Sequence, residues 1–188
     1  MTNFVYDPKR QGYDASLWKT LTGAPTVSSD NIVLNEDEII GYADLYEGDI
    51  TMRLIIPTVP TTGDSRKFGF ASAGFGALLV FEIDGEDFNI YSDNGDGDTQ
   101  SVTVDFKAAW ATAEVDFEIR WRGDYADFLV NGVKVIDTTS EAIGSYRLGT
   151  LLGTSSISKG PMSLYLQNVN VDNMEIVSIN AKNIQTFI

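Results

Sequence analysis

Cysteine and histidine are both missing from this chain of 188 residues. Without cysteine there is no disulfide, no thiolate metal site and no sulfur nucleophile. Without histidine the usual general base, the usual zinc ligand and the usual switch near neutral pH are lost together. Any catalysis would have to run on carboxylates, hydroxyls or lysine. Positive charge is scarce as well: 13 Lys and Arg stand against 27 Asp and Glu, a formal charge of −14. Such a surface repels phosphate backbones, which argues against nucleic-acid partners, and its plain consequence is solubility. Long apolar runs are also lacking. None reaches the roughly 18 residues of a membrane-spanning helix. The opening MTNFVYDPKRQGYD has no apolar core of signal-peptide length. The expectation is a protein without membrane contact that would leave a cell by lysis or a non-standard route.

What the chain does have is period-two alternation. In Glu114–Trp121, Val115, Phe117, Ile119 and Trp121 point one way, and Glu114, Asp116, Glu118 and Arg120 the other. That is a half-buried strand. A second strand, Ala126–Val130, runs into Asn131-Gly132, which supplies the positive φ angles of a tight hairpin. Asp49–Ile56 alternates in the same way before Pro57 and Pro60 stop it. Lys67–Ala71 and Ala77–Ile83 are apolar at nearly every position, as strands in the middle of a sandwich should be. Asp84-Gly85 turns the chain into Asp87–Tyr91, and Gln100–Phe106, Met162–Gln167 and a long strand from Met174 follow. About twelve short strands with regular turn punctuation predict an all-β fold of two antiparallel sheets. Only Thr139–Tyr146 suggests a helical turn. The expected organisation is a segment over residues 1–23 followed by one domain over 24–188, long enough to bury about 70% of its unfolded surface.

A strand ending in Trp, followed by a strand and an Asn-Gly hairpin, resembles the back sheet of concanavalin A-like (laminin-G-like) jelly rolls. PMSLYLQNVNVDNMEIVSINAKNIQ resembles the closing strand pair of the same domains. The resemblance spans roughly Thr26 to Gln185 and implies a two-sheet jelly-roll sandwich with Trp121 in its core. Within it, Glu114-Val115-Asp116-Phe117-Glu118 fits the E-x-D-x-E core of laminarinase-like glycosidases. There the first Glu is the nucleophile, the second the acid/base, and the Asp tunes both. In that family, however, the motif strand precedes the Trp-ending strand, and here one segment would have to be both. The expected role is a strand with a charged outer face, its acids neutralised by Arg120 and Arg122, with no catalytic residue.

Ser92–Thr99 (SDNGDGDT) is a second candidate site. Asp93, Asp96 and Asp98 with Gly95 and Gly97 offer the oxygens and the turns that Ca²⁺ wants, but the spacing is not that of an EF-hand. A solvated turn uses the same residues. No other cofactor is expected. Trp18 and Trp110 lie outside clear strands and are candidates for exposed contact with sugar. Leu151-Leu152, between glycines, could pack inward or mark a subunit contact.

Residues 1–23 hold Lys9, Arg10 and Lys19 and the aromatics Phe4, Tyr6, Tyr13 and Trp18 on an otherwise acidic chain. As an arm, this segment would place Phe4, Tyr6, Lys9, Arg10, Tyr13 and Trp18 against a partner. As an edge strand, it would pack on its own sandwich. The opening YDPKRQGYDASLWKTL and the closing DNMEIVSINAKNIQ are similar to uncharacterised jelly-roll proteins of bacteriophages. That likeness implies a non-enzymatic virion protein, on capsid or tail, assembled in a host cytoplasm. Its partners would be other virion proteins and copies of itself in a homo-oligomer. The alternatives are a carbohydrate-binding, lectin-like module with a glycan partner and a laminarinase-like glycoside hydrolase.

Overall fold

Strand by strand, alternation decides which side chains go inside. On Glu114–Trp121 (β11), Val115, Phe117, Ile119 and Trp121 are buried and the residues between them are not. The computed structural model describes residues 2–7, 18–28, 31–36, 38–45, 48–72, 78–93, 99–121, 126–135, 162–169 and 172–184. They form a jelly-roll sandwich of two antiparallel sheets, with no α-helix among the described residues.

The first sheet runs, in spatial order, through Val133–Lys134 (β13), Ala126–Val130 (β12), β11, Gly48–Ile55 (β6), Met174–Ile184 (β15), Asn31–Leu34 (β4) and Thr26–Ser28 (β3). Thr2–Tyr6 (β1) also pairs with β15, beyond the end of β4. The second sheet runs through Thr99–Val104 (β10), Asp87–Asp93 (β9), Leu78–Asp84 (β8), Ser65–Ser72 (β7), Met162–Asn168 (β14), Glu38–Leu45 (β5) and Trp18–Thr22 (β2). Both predicted hairpins are present. Asn131 and Gly132 have φ of 50° and 75° between β12 and β13, and Gly85 has φ of 63° between β8 and β9.

The two inner faces meet through aromatic rings. Phe117 of the first sheet lies 4.9 Å from Phe68 and 5.3 Å from Phe81 of the second, both edge-on. Trp121, 3% exposed, packs at 5.4 Å against Phe70. Edge-to-face contacts of this kind add to the burial of large apolar area. Gly69 lies between Phe68 and Phe70 on β7 at φ 156°, where a Cβ would strike the Leu79 carbonyl and come within 2.9 Å of Ile119 Cδ1, so no side chain fits there. At one end the sheets are pinned by a polar group. Arg66 is fully buried and donates to Asn168 Oδ1 at 3.1 Å and to the Asp172 carbonyl at 3.3 Å. Asn168 in turn donates to the Leu34 carbonyl at 3.0 Å, which joins the second sheet to the end of β4.

The N-terminal segment belongs to both sheets. β1 pairs with β15 and β2 with β5, and Tyr6 is fully buried in the main core. This is the edge-strand alternative, and it removes Tyr6 from any list of partner-facing anchors. Phe4 and Trp18 contribute backbone to strands, and their side chains lie outside the described residues, as do Lys9, Arg10 and Tyr13. The expected helical turn at Thr139–Tyr146 and the Leu151-Leu152 pair fall outside them too.

Candidate functional site

The E-V-D-F-E segment lies on the outer face of the first sheet. Register places Asp116 opposite Arg53, and the two form a two-pronged ion pair at 2.7 and 2.9 Å. Glu118 is held by Arg120 at 2.7 and 3.2 Å, and Lys134 pairs with Asp127 at 3.0 Å. Arg120 does what the sequence predicts, Arg53 supplies the second cation, and Arg122 is outside the described residues. Asp116 raises the Arg53 pKa through its hydrogen bond first and its charge second, and Glu118 raises that of Arg120 through its hydrogen bond. Glu114 is exposed. This is a charged, open face on which Asp116, Glu118 and Asp127 are each paired with a cation.

The calcium candidate divides. Asp93 ends β9 and accepts a hydrogen bond from the Tyr91 hydroxyl at 3.3 Å, while Asp96 and Asp98 lie outside the described residues. Among the described residues no three His, Cys, Asp or Glu gather as a metal site.

The outer face of the second sheet is different in kind. Along β7, Phe68 and Phe70 point inward, so Lys67, Gly69 and Ala71 line the outside. Along β8, Leu79, Phe81 and Ile83 point inward, which leaves Leu78, Val80 and Glu82 outside. An outward position on a sheet is normally wet. Here Ala71, Leu78, Val80 and Tyr165 form a second buried cluster, with Tyr91 packed against it. Two rows cross the strands. The register places Tyr91, Val80, Gly69 and Tyr165 side by side on β9, β8, β7 and β14. Three strand spacings, roughly 14 Å, separate the two tyrosines. Beside that row runs a polar one, Thr103, Asn89, Glu82, Lys67 and Gln167, across β10, β9, β8, β7 and β14.

The polar row is internally bonded. Lys67 Nζ is 2.7 Å from Glu82 Oε1 and 5.3 Å from the centre of the Tyr91 ring. Thr103 donates to Asn89 Oδ1 at 2.7 Å, and the Tyr165 hydroxyl donates to Gln167 Oε1 at 2.7 Å. The amide nitrogens of Asn89 and Gln167 thus remain as donors. Glu82 and Asn89 are buried polar side chains at 8% and 7% exposure. Burial pushes the Tyr165 phenol up to about 12, and it raises Tyr91 as well, with Asp93 and Glu82 adding to the shift. Both phenols therefore stay neutral near pH 7. Two rings with amide, ammonium and carboxylate groups beside them match how protein sites hold a sugar: apolar ring faces on aromatics, hydroxyls on polar side chains. Acid–base cleavage of a glycosidic bond needs two carboxyl groups about 5–9.5 Å apart. Asp93 stands opposite Leu78, four positions along from Glu82. That is about 13 Å at Cα, so both side chains would have to lean together.

Sequence reasoning passed over this face. Its signal was visible within single strands, where Glu82, Asn89, Tyr165 and Gln167 interrupt or alternate with apolar residues. The neighbours that make it a site come from strands far apart in the chain.

No protein-family model matches the chain, and no curated protein does. Solved structures do. The apo Crh5 transglycosylase aligns with a TM-score of 0.69 at 14% identity, over 97% of this chain and 85% of that one. β-Agarase A in complex with oligoagarose aligns with a TM-score of 0.66 at 9% identity, over 98% and 94%. The Emp47p carbohydrate recognition domain aligns with a TM-score of 0.53 at 11% identity, over 87% of each. At such identities the likeness is one of fold, and the fold is the concanavalin A-like jelly roll. The comparisons correct two expectations. The non-enzymatic virion protein gives way to the carbohydrate alternatives, because the proteins that share this fold are named as transglycosylases, glycosidases and carbohydrate recognition domains. The expected absence of enzymatic function is overturned by the same names. Bacteriophage likeness, virion partners and a homo-oligomer gain no support from them. The segments that suggested a virion protein lie only at the two ends of the chain, whereas the shared backbone path spans 97% of it.

Proposed function

We propose that this chain is a carbohydrate-active jelly roll that takes a glycan across the outer face of its second sheet. Tyr91 and Tyr165 flank the glycan, and Glu82, Asn89, Lys67 and Gln167 meet its hydroxyls. One observation carries the reading: a sheltered sheet face on which neighbouring strands set two tyrosines in one row beside a carboxylate, two side-chain amides and an ammonium. The fold's solved relatives support it, since one is named as bound to oligoagarose and another as a complex with NAG. Glycan-array screening followed by calorimetry tests it. Tyr91→Ala and Asn89→Ala should each weaken the selected glycan about tenfold or more, which corresponds to ~1.4 kcal/mol. A glycan that binds both variants as well as the parent would place the site elsewhere.

A second reading is favoured by Glu82, the buried carboxylate of that face, together with the glycosidase names among the structures of this fold. The chain then cleaves or transfers the glycan it holds, with Glu82 as the carboxylate nearest the bond. Release of reducing ends from β-glucan or agar would reveal it. That activity should vanish in Glu82→Gln and persist in Glu118→Gln, whose carboxylate sits on the opposite sheet beside Arg120.

A further inference from the structure

The edge strands of the two sheets, β10 and β13, leave a crevice of about 340 Å³ between them. That volume lies near the lower end of the usual range for small-ligand sites, roughly 300–1,000 Å³. Trp110 lines it together with Val133 and Val135, and Asp105, Lys107 and Asn131 line it as well. The tryptophan is set in place from three sides. It closes the 3-10 turn Ala108–Trp110, where its N–H bonds the Lys107 carbonyl at 2.8 Å. Its ring stands edge-on to Phe106, Phe88 and Phe117 at centroid distances of 5.5, 5.9 and 6.5 Å. Two residues on, Thr112 holds φ at 60°, an outlier for a β-branched residue, and its N–H bonds the Ile56 carbonyl at 2.8 Å. Strain of this sort persists only where surrounding contacts hold it, and it gathers at functional positions.

The polar groups of the crevice are available in chemical terms. Lys107 reaches over the Trp110 ring, 5.5 Å from its centre, and makes no ion pair among the described residues. Asn131 Oδ1 accepts the Asp116 backbone N–H at 3.0 Å, which leaves its Nδ2 to donate. Asp105 is exposed and accepts. Lys134 also lines the crevice but is tied to Asp127 at 3.0 Å. Val133 is 68% exposed, the most exposed large apolar side chain of the described residues. An anion would gain little here, since Asp105 and Asp127 offset the two lysines within a protein of charge −14. A purely apolar ligand would strand the polar groups. A ring with one apolar face and a rim of groups that both donate and accept satisfies every part.

We infer that this crevice is a second saccharide site, taking one neutral pyranose ring with its C–H face on Trp110 and its hydroxyls on Asp105, Lys107 and Asn131. The inference does not depend on the Tyr91–Tyr165 face, which uses other strands and other residues.

Trp110 is one of three tryptophans, so its indole N–H can be followed in a ¹H–¹⁵N spectrum while methyl glycosides of glucose, galactose, mannose and N-acetylglucosamine are titrated. At least one should move the Trp110 signal saturably. Lys107→Ala and Asp105→Ala, both at exposed positions, should each weaken that response about tenfold. Glu82→Gln should leave it unchanged, so a failure of the sheet-face site and a failure of this one are read separately. The inference is overturned if no neutral glycoside moves the Trp110 indole. It is equally overturned if the shift survives in both rim variants, or if only glucuronate or a simple aromatic acid produces it.

Discussion

Arg66 shows how much one side chain can decide. A fully buried guanidinium is tolerable only when its protons are bonded and its charge is met. Asn168, Asp64 and the Asp172 carbonyl do this, while burial pulls the Arg66 pKa down against the opposing pull of Asp64 and Asp172. Asn168 is the hinge of the group, because it also holds the carbonyls of Leu34 and Asn35 on the facing sheet. Asn168→Ala should therefore cost on the order of 3 kcal/mol in urea denaturation, most of it from a buried charge left short of partners. A loss below about 1 kcal/mol, the usual range for a surface ion pair, would show that the group contributes only as exposed pairs do.

Single strands explain why a motif can mislead. E-V-D-F-E has the spelling of a catalytic strand, yet on β11 its three acids share an outer face with Arg53 and Arg120, and its apolar residues hold the core. What a carboxylate can do depends on which face its strand turns outward and what lies beside it, and neither is part of the spelling. β1 makes the complementary point. Four of its residues pair with β15, with a register shift at Asn3, and Tyr6 places a ring in the core with no exposure. Removing residues 1–20 takes away that ring, one edge of β15 and most of β2. The shortened protein should melt at a clearly lower temperature or fail to fold, as followed by circular dichroism. An unchanged melting temperature would mean that the first two strands are dispensable to the sandwich.

Among the described residues, the outer faces of the two sheets differ in kind. The outer face of the first sheet is ion-paired and wet; that of the second buries Val80, Tyr165, Glu82 and Asn89. This asymmetry has a consequence for stability in alkali. Tyr165 titrates near 10 in an unfolded chain and is pushed up to about 12 by burial in the folded one. The folded state thus keeps a proton that the unfolded state loses, so Tyr165 contributes stability that is complete below about pH 10 and fades as the pH rises through about 12. Urea midpoints measured across that window should fall, and Tyr165→Phe should flatten part of the fall. A Tyr165→Phe profile that matches the parent at every pH would place the phenol in water.

Much of the fold could be read from residues alone. Val115, Phe117, Ile119 and Trp121 are inside because a pleated strand leaves no other choice for four apolar side chains two apart. Asn131-Gly132 and Asp84-Gly85 turn because few other residue pairs accept the backbone angles. The partnerships of strands were not legible. Tyr91 and Tyr165 lie 74 residues apart, and nothing local says that β7 and β8 will stand between them. The same holds for Trp110, whose crevice exists only because β10 and β13 end up as neighbouring edges of different sheets. Local backbone sterics and hydrophobic period belong to the chain as written. A site assembled from several strands belongs to the order in which the sheets pair those strands, and that order is settled by burying all the apolar faces at once.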